Sequence, residues 1–266
     1  MEAWPIYLLT GGIVGFLAGL LGIGGGLLMV PVLAAIFASL GFPSDRILHS
    51  ALGTTTAIIT LTAVASLRAH HSRGAVNWRI VRYITPGIIA GALTGSTLAG
   101  QLSSRVLGMI FVLFIYLAAT QMWLNLKPGA GHVLPGKTGL FVAGGVIGAL
   151  SSLVAIGGGL LTVPFLTACQ IRVHHAIGTA AAIGFPVALA SAAGYAINGL
   201  LQTQPLPDYS LGYIYLPALV MVAMTSTVTA PFGAKTAHIL PAATLRKIFA
   251  GLLYLLGTRL LLDFQG

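Results

Sequence analysis

The chain is 266 residues long, and only 6% of its residues are charged, against about 25% in an ordinary soluble domain. Hydrophobic residues make up 57% of it, and the mean hydropathy is +0.97. Such a chain lacks the charged coat of a water-soluble globule, so the composition excludes a cytosolic enzyme, a secreted disulfide scaffold and a disordered chain. The net charge is +9, but the basic residues stand between apolar runs, which favours a lipid bilayer and not nucleic acid as the partner.

Eight apolar stretches follow one another along the chain, and a bilayer core about 30 Å thick needs roughly 20 apolar residues per helix. They lie at about 6–40, 47–69, 80–100, 106–125, 139–170, 175–200, 211–234 and 245–263. The first and fifth stretches are too long for one span, and each contains three successive glycines followed by a proline. Each glycine costs about 1 kcal/mol relative to alanine in a helix. The triplets therefore predict a helix break in both stretches.

The glycine triplets belong to an internal repeat. Three blocks recur in the same order, namely 12–33 with 145–166, 49–54 with 174–179, and 107–116 with 245–254. The first pair shares 13 identities in 22 positions at an offset of 133, and the other two pairs have offsets of 125 and 138. We therefore predict two transmembrane repeats, 1–125 and 139–266, joined by a connecting loop at 126–138.

The distribution of Lys and Arg indicates how the two repeats are oriented, because basic residues accumulate in cytoplasmic connections. If every stretch crossed once, the 13 basic residues would divide seven against six. If each glycine break is instead the tip of a hairpin, ten lie on one side and only Arg46, Arg105 and Arg259 on the other. The hairpin interpretation is favoured, so each repeat is a broken-helix hairpin plus three spanning helices. We predict an all-α polytopic membrane protein with two inverted repeats, about ten helical pieces, and both termini outside the inner membrane.

The glycine tips are the candidate binding site for a small anionic substrate. Inverted repeats of broken helices are typical of secondary transporters, whose substrates bind near the membrane midplane. The helix that follows each break presents unpaired N–H groups and the positive end of its dipole. The candidate residues are Gly24, Gly25, Gly26, Gly157, Gly158 and Gly159, with Thr54, Thr179, His49 and His174 from the second block.

Each candidate also has a structural alternative. The glycines can serve close helix packing, which is the favoured role of the Gly11, Gly15 and Gly19 spacing. Threonine hydroxyls can bond to a carbonyl of the preceding helical turn. The two histidines lie at the edges of their segments, which favours interfacial anchoring over titration.

The acidic residues bear on the mechanism, because all of them lie at termini or connections. They are Glu2, Asp45, Asp208 and Asp263. Without a carboxylate in mid-membrane, coupling to a cation is disfavoured. Export of an anion from a negative interior gains about 2.3 kcal/mol per charge at 100 mV. We therefore expect a facilitated or potential-driven anion exporter that works by alternating access.

Several alternatives stay open beside the exporter. A passive anion channel and a proton-coupled carboxylate carrier of the same fold are compatible with the sequence, and so is a homodimer. The sequence has no zinc motif such as His-Glu-x-x-His and no membrane-centred acid. We therefore expect no metal, no cofactor and no enzymatic activity.

The doubled Gly-Gly-Gly-x-x-x-Val-Pro element, followed in each repeat by a His and Gly-Thr block, resembles the sulfite exporter TauE/SafE family of membrane permeases. The resemblance extends from about Gly11 to Leu262. It implies an inner-membrane permease for sulfite, sulfoacetate, related sulfonates or small organic acids. Only the glycine tips and the Gly-Thr pairs are carried over from the family. Thr55 and Ala180 follow those pairs where a small residue such as serine is expected.

Overall fold

The computed structural model describes residues 4–21, 25–124, 131, 133–202, 206–237 and 242–263. Within these ranges the chain forms ten helices: α1 (Trp4–Leu21), α2 (Gly26–Ser39), α3 (Ile47–Ser72), α4 (Trp78–Gln101), α5 (Ser104–Leu124), α6 (Lys137–Leu153), α7 (Gly159–Ala168), α8 (Val173–Leu200), α9 (Leu216–Ala237) and α10 (Ala242–Asp263). A short antiparallel hairpin of β1 (Ser210–Leu211) and β2 (Ile214–Tyr215) precedes α9. The prediction of an all-α polytopic membrane protein is confirmed.

Four of these helices are long and apolar enough to cross a membrane alone: α3, α5, α8 and the Leu216–Gly233 part of α9. The two long stretches with glycine triplets are divided as predicted, into α1 and α2 and into α6 and α7. Pro31 and Pro164 lie inside α2 and α7. The breaks therefore fall at the glycines and not at the prolines.

Each hairpin packs against a helix of the opposite repeat. Helix α1 runs alongside α9, and α6 runs alongside α4. Glycines permit the close approach, because a methyl group on Gly15 would overlap Ser226, and one on Gly91 would overlap the backbone of Gly145. Both helix pairs are parallel, since Gly11 faces Val222 and Thr225 whereas Gly19 faces Ala230 further along α9.

The connections gather at two ends of the bundle. The first end holds 40–46, 102–103 and the β-hairpin, because the ring of His49 lies against Leu102 and Tyr213. The second end holds 73–77, 133–136 and 169–172, because His175 contacts Ala75 and Gly131 contacts Ala168.

The two hairpins point in opposite directions. Since α1 is parallel to α9, it starts at the first end, and α2 returns there. Helix α6 starts at the second end, and α7 returns there. Helix α10 is antiparallel to α5, with Tyr116 bonded to Thr258 and Thr120 to Tyr254, so the described chain starts and finishes at the first end. This is the inverted arrangement predicted from the basic residues, whereas the bounds of the two repeats stay a prediction.

Helices α3 and α8 form the centre of the bundle, packed against each other. One apolar core surrounds Phe37, Leu52 and Phe111, and a second one surrounds Ile88 and Leu166. The outer helices expose large apolar side chains such as Leu113, Leu117, Val228 and Leu255. An apolar exterior around a buried helix pair suits a lipid environment.

Candidate functional site

In both helix breaks the helix that follows is capped by a glycine with a positive φ. Gly25 is the N-cap of α2 with a φ of 68°, and Gly158 is the N-cap of α7 with a φ of 22°. The two residues correspond in the repeat at the offset of 133. This backbone region costs an ordinary L-residue roughly 1–2 kcal/mol, which explains glycine at both positions. Gly24, also a predicted site residue, lies outside the described residues.

The two glycine tips contact each other at the centre of the bundle. The backbone of Gly26 packs against the carbonyl group of Ala155, two residues before Gly157. Ile59 lies in the middle of α3 and touches both tips, because a methyl group on either Gly26 or Gly157 would be 3.1 Å from its side chain. The structure therefore brings together the glycines of the two repeats at mid-depth of the bundle.

The second tip borders open space. A methyl group on Gly159, or on the buried Gly184 of α8, would meet no atom of the described residues within 4 Å beyond its own helical turn. Gly158, by contrast, packs closely, since its methyl group would lie 3.1 Å from the backbone of Gly184. The first N–H groups of a helix lack intrahelical acceptors. At the start of α7 the N–H of Gly159 is bonded to the carbonyl oxygen of Gly157, and the N–H groups of Leu160 and Leu161 that follow adjoin this space at membrane depth.

Three hydroxyl groups near the tips are buried and have no hydrogen-bond partner in the described part of the chain: those of Thr55, Ser151 and Thr162. Most serine and threonine side chains in these helices bond to a nearby carbonyl, as Thr56 does to Gly53. A buried hydroxyl without a partner is costly, and such a group marks a candidate ligand-binding position.

The sequence reasoning missed Ser151 and Thr162. Ser151 is four residues before Ala155, and Thr162 is in the second turn of α7. Their repeat partners at the offset of 133 are apolar, Ala18 and Met29. The two residues could have been found from the sequence because each is polar at a position where the other repeat has an apolar residue.

Thr54 and Thr179 have a defined structural role. Each side-chain oxygen is fully buried and accepts a backbone N–H from the opposite repeat: Thr54 from Tyr215 and Thr179 from Asn77, both at 3.0 Å. The preceding glycines lie against the same two connections, because a methyl group on Gly53 or Gly178 would be 2.5 Å from a carbonyl oxygen there. The role of the two threonines as substrate ligands stays a prediction.

The two predicted histidines lie at opposite ends of the bundle, away from the tips. His49 is buried, its Nε2 lies 3.0 Å from the carbonyl oxygen of Ala99, and its ring stacks on Tyr213. Interfacial anchoring is therefore wrong for His49, whose ring serves helix packing. His174 is exposed at the second end, and its ring lies edge-on to that of His175.

The described residues contain no group of three His, Cys, Asp or Glu side chains close enough to hold a metal ion. The donors that surround the tips are instead backbone N–H groups and hydroxyls. Such donors suit an anion with several oxygen atoms.

Comparison with known proteins relates almost the whole chain to one family. The model of the family described as "Sulfite exporter TauE/SafE" matches residues 7–260. A "probable membrane transporter protein" of Haemophilus influenzae is 38% identical over 245 residues, covering 91% of this chain and 92% of the relative. One of Methanocaldococcus jannaschii is 28% identical over 262 residues, covering 97% and 95%. The "probable inner membrane transporter protein TsaS" of Comamonas testosteroni is 29% identical over 187 residues, covering 70% and 72%. No solved structure matches the chain.

Proposed function

The chain belongs to the sulfite exporter TauE/SafE family of membrane transporters, and we propose that it exports small anions such as sulfite, organosulfonates or related organic acids across the inner membrane. The observation that carries the proposal is the meeting of two glycine-capped helix starts at mid-depth, with open space beside Gly159 and Gly184. A site of this kind recognises negative charge without a cationic side chain.

The N–H groups of Leu160 and Leu161, in the first turn of α7, are the central donors of the proposed site. The hydroxyls of Thr162 and Ser151 add two neutral donors that have no partner among the described residues. A sulfonate offers three oxygen atoms and a carboxylate two, so the donor set fits either class. Neutral donors hold an anion without an ion pair, so release of the anion requires little free energy.

The way the hairpins are attached supports alternating access. The α1–α2 hairpin is fixed to α9, and the α6–α7 hairpin is fixed to α4, through glycine-mediated contacts. Each hairpin therefore moves with a helix of the opposite repeat. One moving unit is the α1–α2 hairpin with α9, and the other is the α6–α7 hairpin with α4. When these two units rock against each other, the tips are exposed to one end of the bundle at a time. The second end, which holds nine of the twelve basic residues that the structure describes, is the cytoplasmic one in this proposal.

The driving force in this proposal is the membrane potential. The acidic side chains that the structure describes, Asp45 and Asp208, lie in connections at the first end and not beside the tips. A mid-membrane carboxylate of the kind that couples Na⁺ or protons is therefore not among the described groups. Flux of sulfite or sulfoacetate from proteoliposomes should rise with an imposed inside-negative potential, and flux that ignores the voltage would contradict this point.

The proposed site is tested by the single substitutions Gly159→Ala and Gly184→Ala. Both positions have room for a methyl group, so each variant should fold normally and place its methyl group in the space beside α7. We expect sulfite or sulfonate flux to fall about tenfold or more, as for loss of a well-placed charge-assisted hydrogen bond.

The matched control is Gly251→Ala, because Gly251 also has room for a methyl group but lies exposed on α10. Full flux in both tip variants would overturn the site. Saturable counterflow separates the carrier from a passive channel, which shows none.

A further inference from the structure

The second end of the bundle has a shallow, open groove of about 470 Å³ that is separate from the glycine tips. It lies between the start of α4 and the turn that joins α7 to α8. Its polar wall consists of Asn77, Trp78, Gln170, Arg172 and His175, and we call this groove the vestibule. The volume is sufficient for a small organic anion with part of its water shell.

The vestibule is lined by a cation without a carboxylate beside it. Arg172 is exposed, and within the described residues it forms no ion pair, the one such pair there being Arg46 with Asp45 at the first end. Arg79 and Lys137 lie at the same end of the bundle and add positive charge. The local field therefore attracts anions.

Hydrogen bonds fix the wall of the vestibule and leave donors available. The side-chain oxygen of Asn77 accepts the N–H of Ile80, so its amide NH₂ is the group left to face a ligand. His175 is held by the carbonyl oxygen of Ala75, 3.3 Å from Nδ1. Trp78 donates its indole N–H to His71 and presents an apolar ring. Guanidinium and amide groups beside an apolar ring suit a small organic oxyanion.

The corresponding place at the first end is closed. Tyr215 is the repeat partner of Asn77 at the offset of 138. Its ring packs edge-on against Phe37 and Phe42, with centroids 5.7 and 5.2 Å away, and lies 6.1 Å from the ring of Tyr7. The fold therefore does not itself require a groove here, because aromatic side chains fill the equivalent position.

We propose that the vestibule is a second oxyanion-binding site, which takes a free sulfonate or sulfite ion from the cytoplasm before the ion reaches the glycine tips. The role as an entry site rests on the proposed export function. Binding itself does not, because it depends on Arg172 and its neighbours at the second end. A lipid phosphate has the same chemistry as a free oxyanion, so the test includes both sources.

Trp78 provides a direct readout of binding. In a Trp4→Phe, Trp123→Phe background, Trp78 is the remaining tryptophan of the sequence, and it lines the vestibule. Its fluorescence is followed in detergent during titration with methanesulfonate, sulfite or inorganic phosphate, and separately with dioctanoyl phosphatidylglycerol. We expect saturable changes with the free anions, and Arg172→Gln should weaken them about tenfold.

The matched control is Arg82→Gln, which removes the same charge from an exposed position on α4 outside the vestibule. Gln170→Glu is the second variant, and it should weaken anion binding at least as much because it adds a negative charge to the wall.

Equal affinities in Arg172→Gln and Arg82→Gln, a response to the lipid alone, or no response to any anion would overturn the vestibule. Normal binding without anion flux in proteoliposomes would uphold the site while contradicting export. Normal anion flux without an anion-dependent change in Trp78 fluorescence would contradict the vestibule while upholding export.

Discussion

The side-chain oxygen of Thr54 accepts the backbone N–H of Tyr215 at 3.0 Å, although the two residues are 161 positions apart. The second repeat contains the matching bond, from the N–H of Asn77 to Thr179. Each bond connects a central helix of one repeat to the connection that precedes α4 or α9 of the other. The Gly-Thr pairs therefore fasten the interface between the repeats.

Removal of this bond should destabilise the protein. Thr54→Val or Thr179→Val keeps the side-chain shape but leaves a backbone N–H unpaired, so we expect a loss of about 1–3 kcal/mol in unfolding free energy. Denaturant unfolding in detergent measures it.

The matched control is Thr55→Val, which removes a buried hydroxyl that has no partner among the described residues. We expect this change to be neutral or stabilising. Equal losses for Thr54→Val and Thr55→Val would show that the inter-repeat bond contributes nothing.

A methyl group at Gly178 should also loosen this interface. In Gly178→Ala the new methyl group would lie 2.5 Å from the carbonyl oxygen of Ala75, so the connection must shift. We expect a loss of about 1–3 kcal/mol, as for overpacking. Gly251→Ala, with open space around it, should instead raise the stability of α10 by up to about 1 kcal/mol. Thermal unfolding in detergent compares the two variants. If the melting temperatures of Gly178→Ala and Gly251→Ala shift in the same direction by the same amount, close packing at Gly178 does not stabilise the interface.

Ala155 is held in a backbone conformation that favours glycine, with a φ of 47°. The first repeat has Gly22 at the equivalent position. Ala155→Gly loses a buried methyl group, at about 0.8 kcal/mol, but relieves about 1–2 kcal/mol of backbone strain. The greater freedom of glycine in the unfolded chain costs a further roughly 0.4–1 kcal/mol, so we expect a net change near zero. The buried helical control Ala188→Gly should cost roughly 1–2 kcal/mol. Similar losses in the two variants would argue against strain at the second tip.

Cys169, the single cysteine, should react slowly with maleimide. Burial raises the pKa of its thiol. The thiolate is the reactive form. Less thiolate is therefore present at neutral pH than in an exposed cysteine, and labelling should keep rising above the ordinary pKa of about 8.5. A Cys169→Ala, Ser72→Cys variant places an exposed thiol at the same end. Identical rate–pH profiles for the two proteins would contradict the effect of burial.

Much of this architecture could be predicted from the sequence alone. The scarcity of charge placed the chain in a membrane, and the glycine triplets located both helix breaks, because helix propensity is a local property. The positions of Arg46, Arg105 and the other basic residues indicated the inverted arrangement, since charge placement follows topology.

Only the tertiary structure determined what the individual side chains do. The sequence predicts Thr54 and Thr179 as substrate ligands, and only the structure shows that they bond to backbone groups 161 and 102 positions away. Ser151 and Thr162 became candidates because their buried hydroxyls have no partner in the described chain. A hydrogen bond and a cavity both depend on which distant segments meet. Local sequence patterns carry the period and the breaks of the helices, whereas packing between the repeats decides which polar groups are paired.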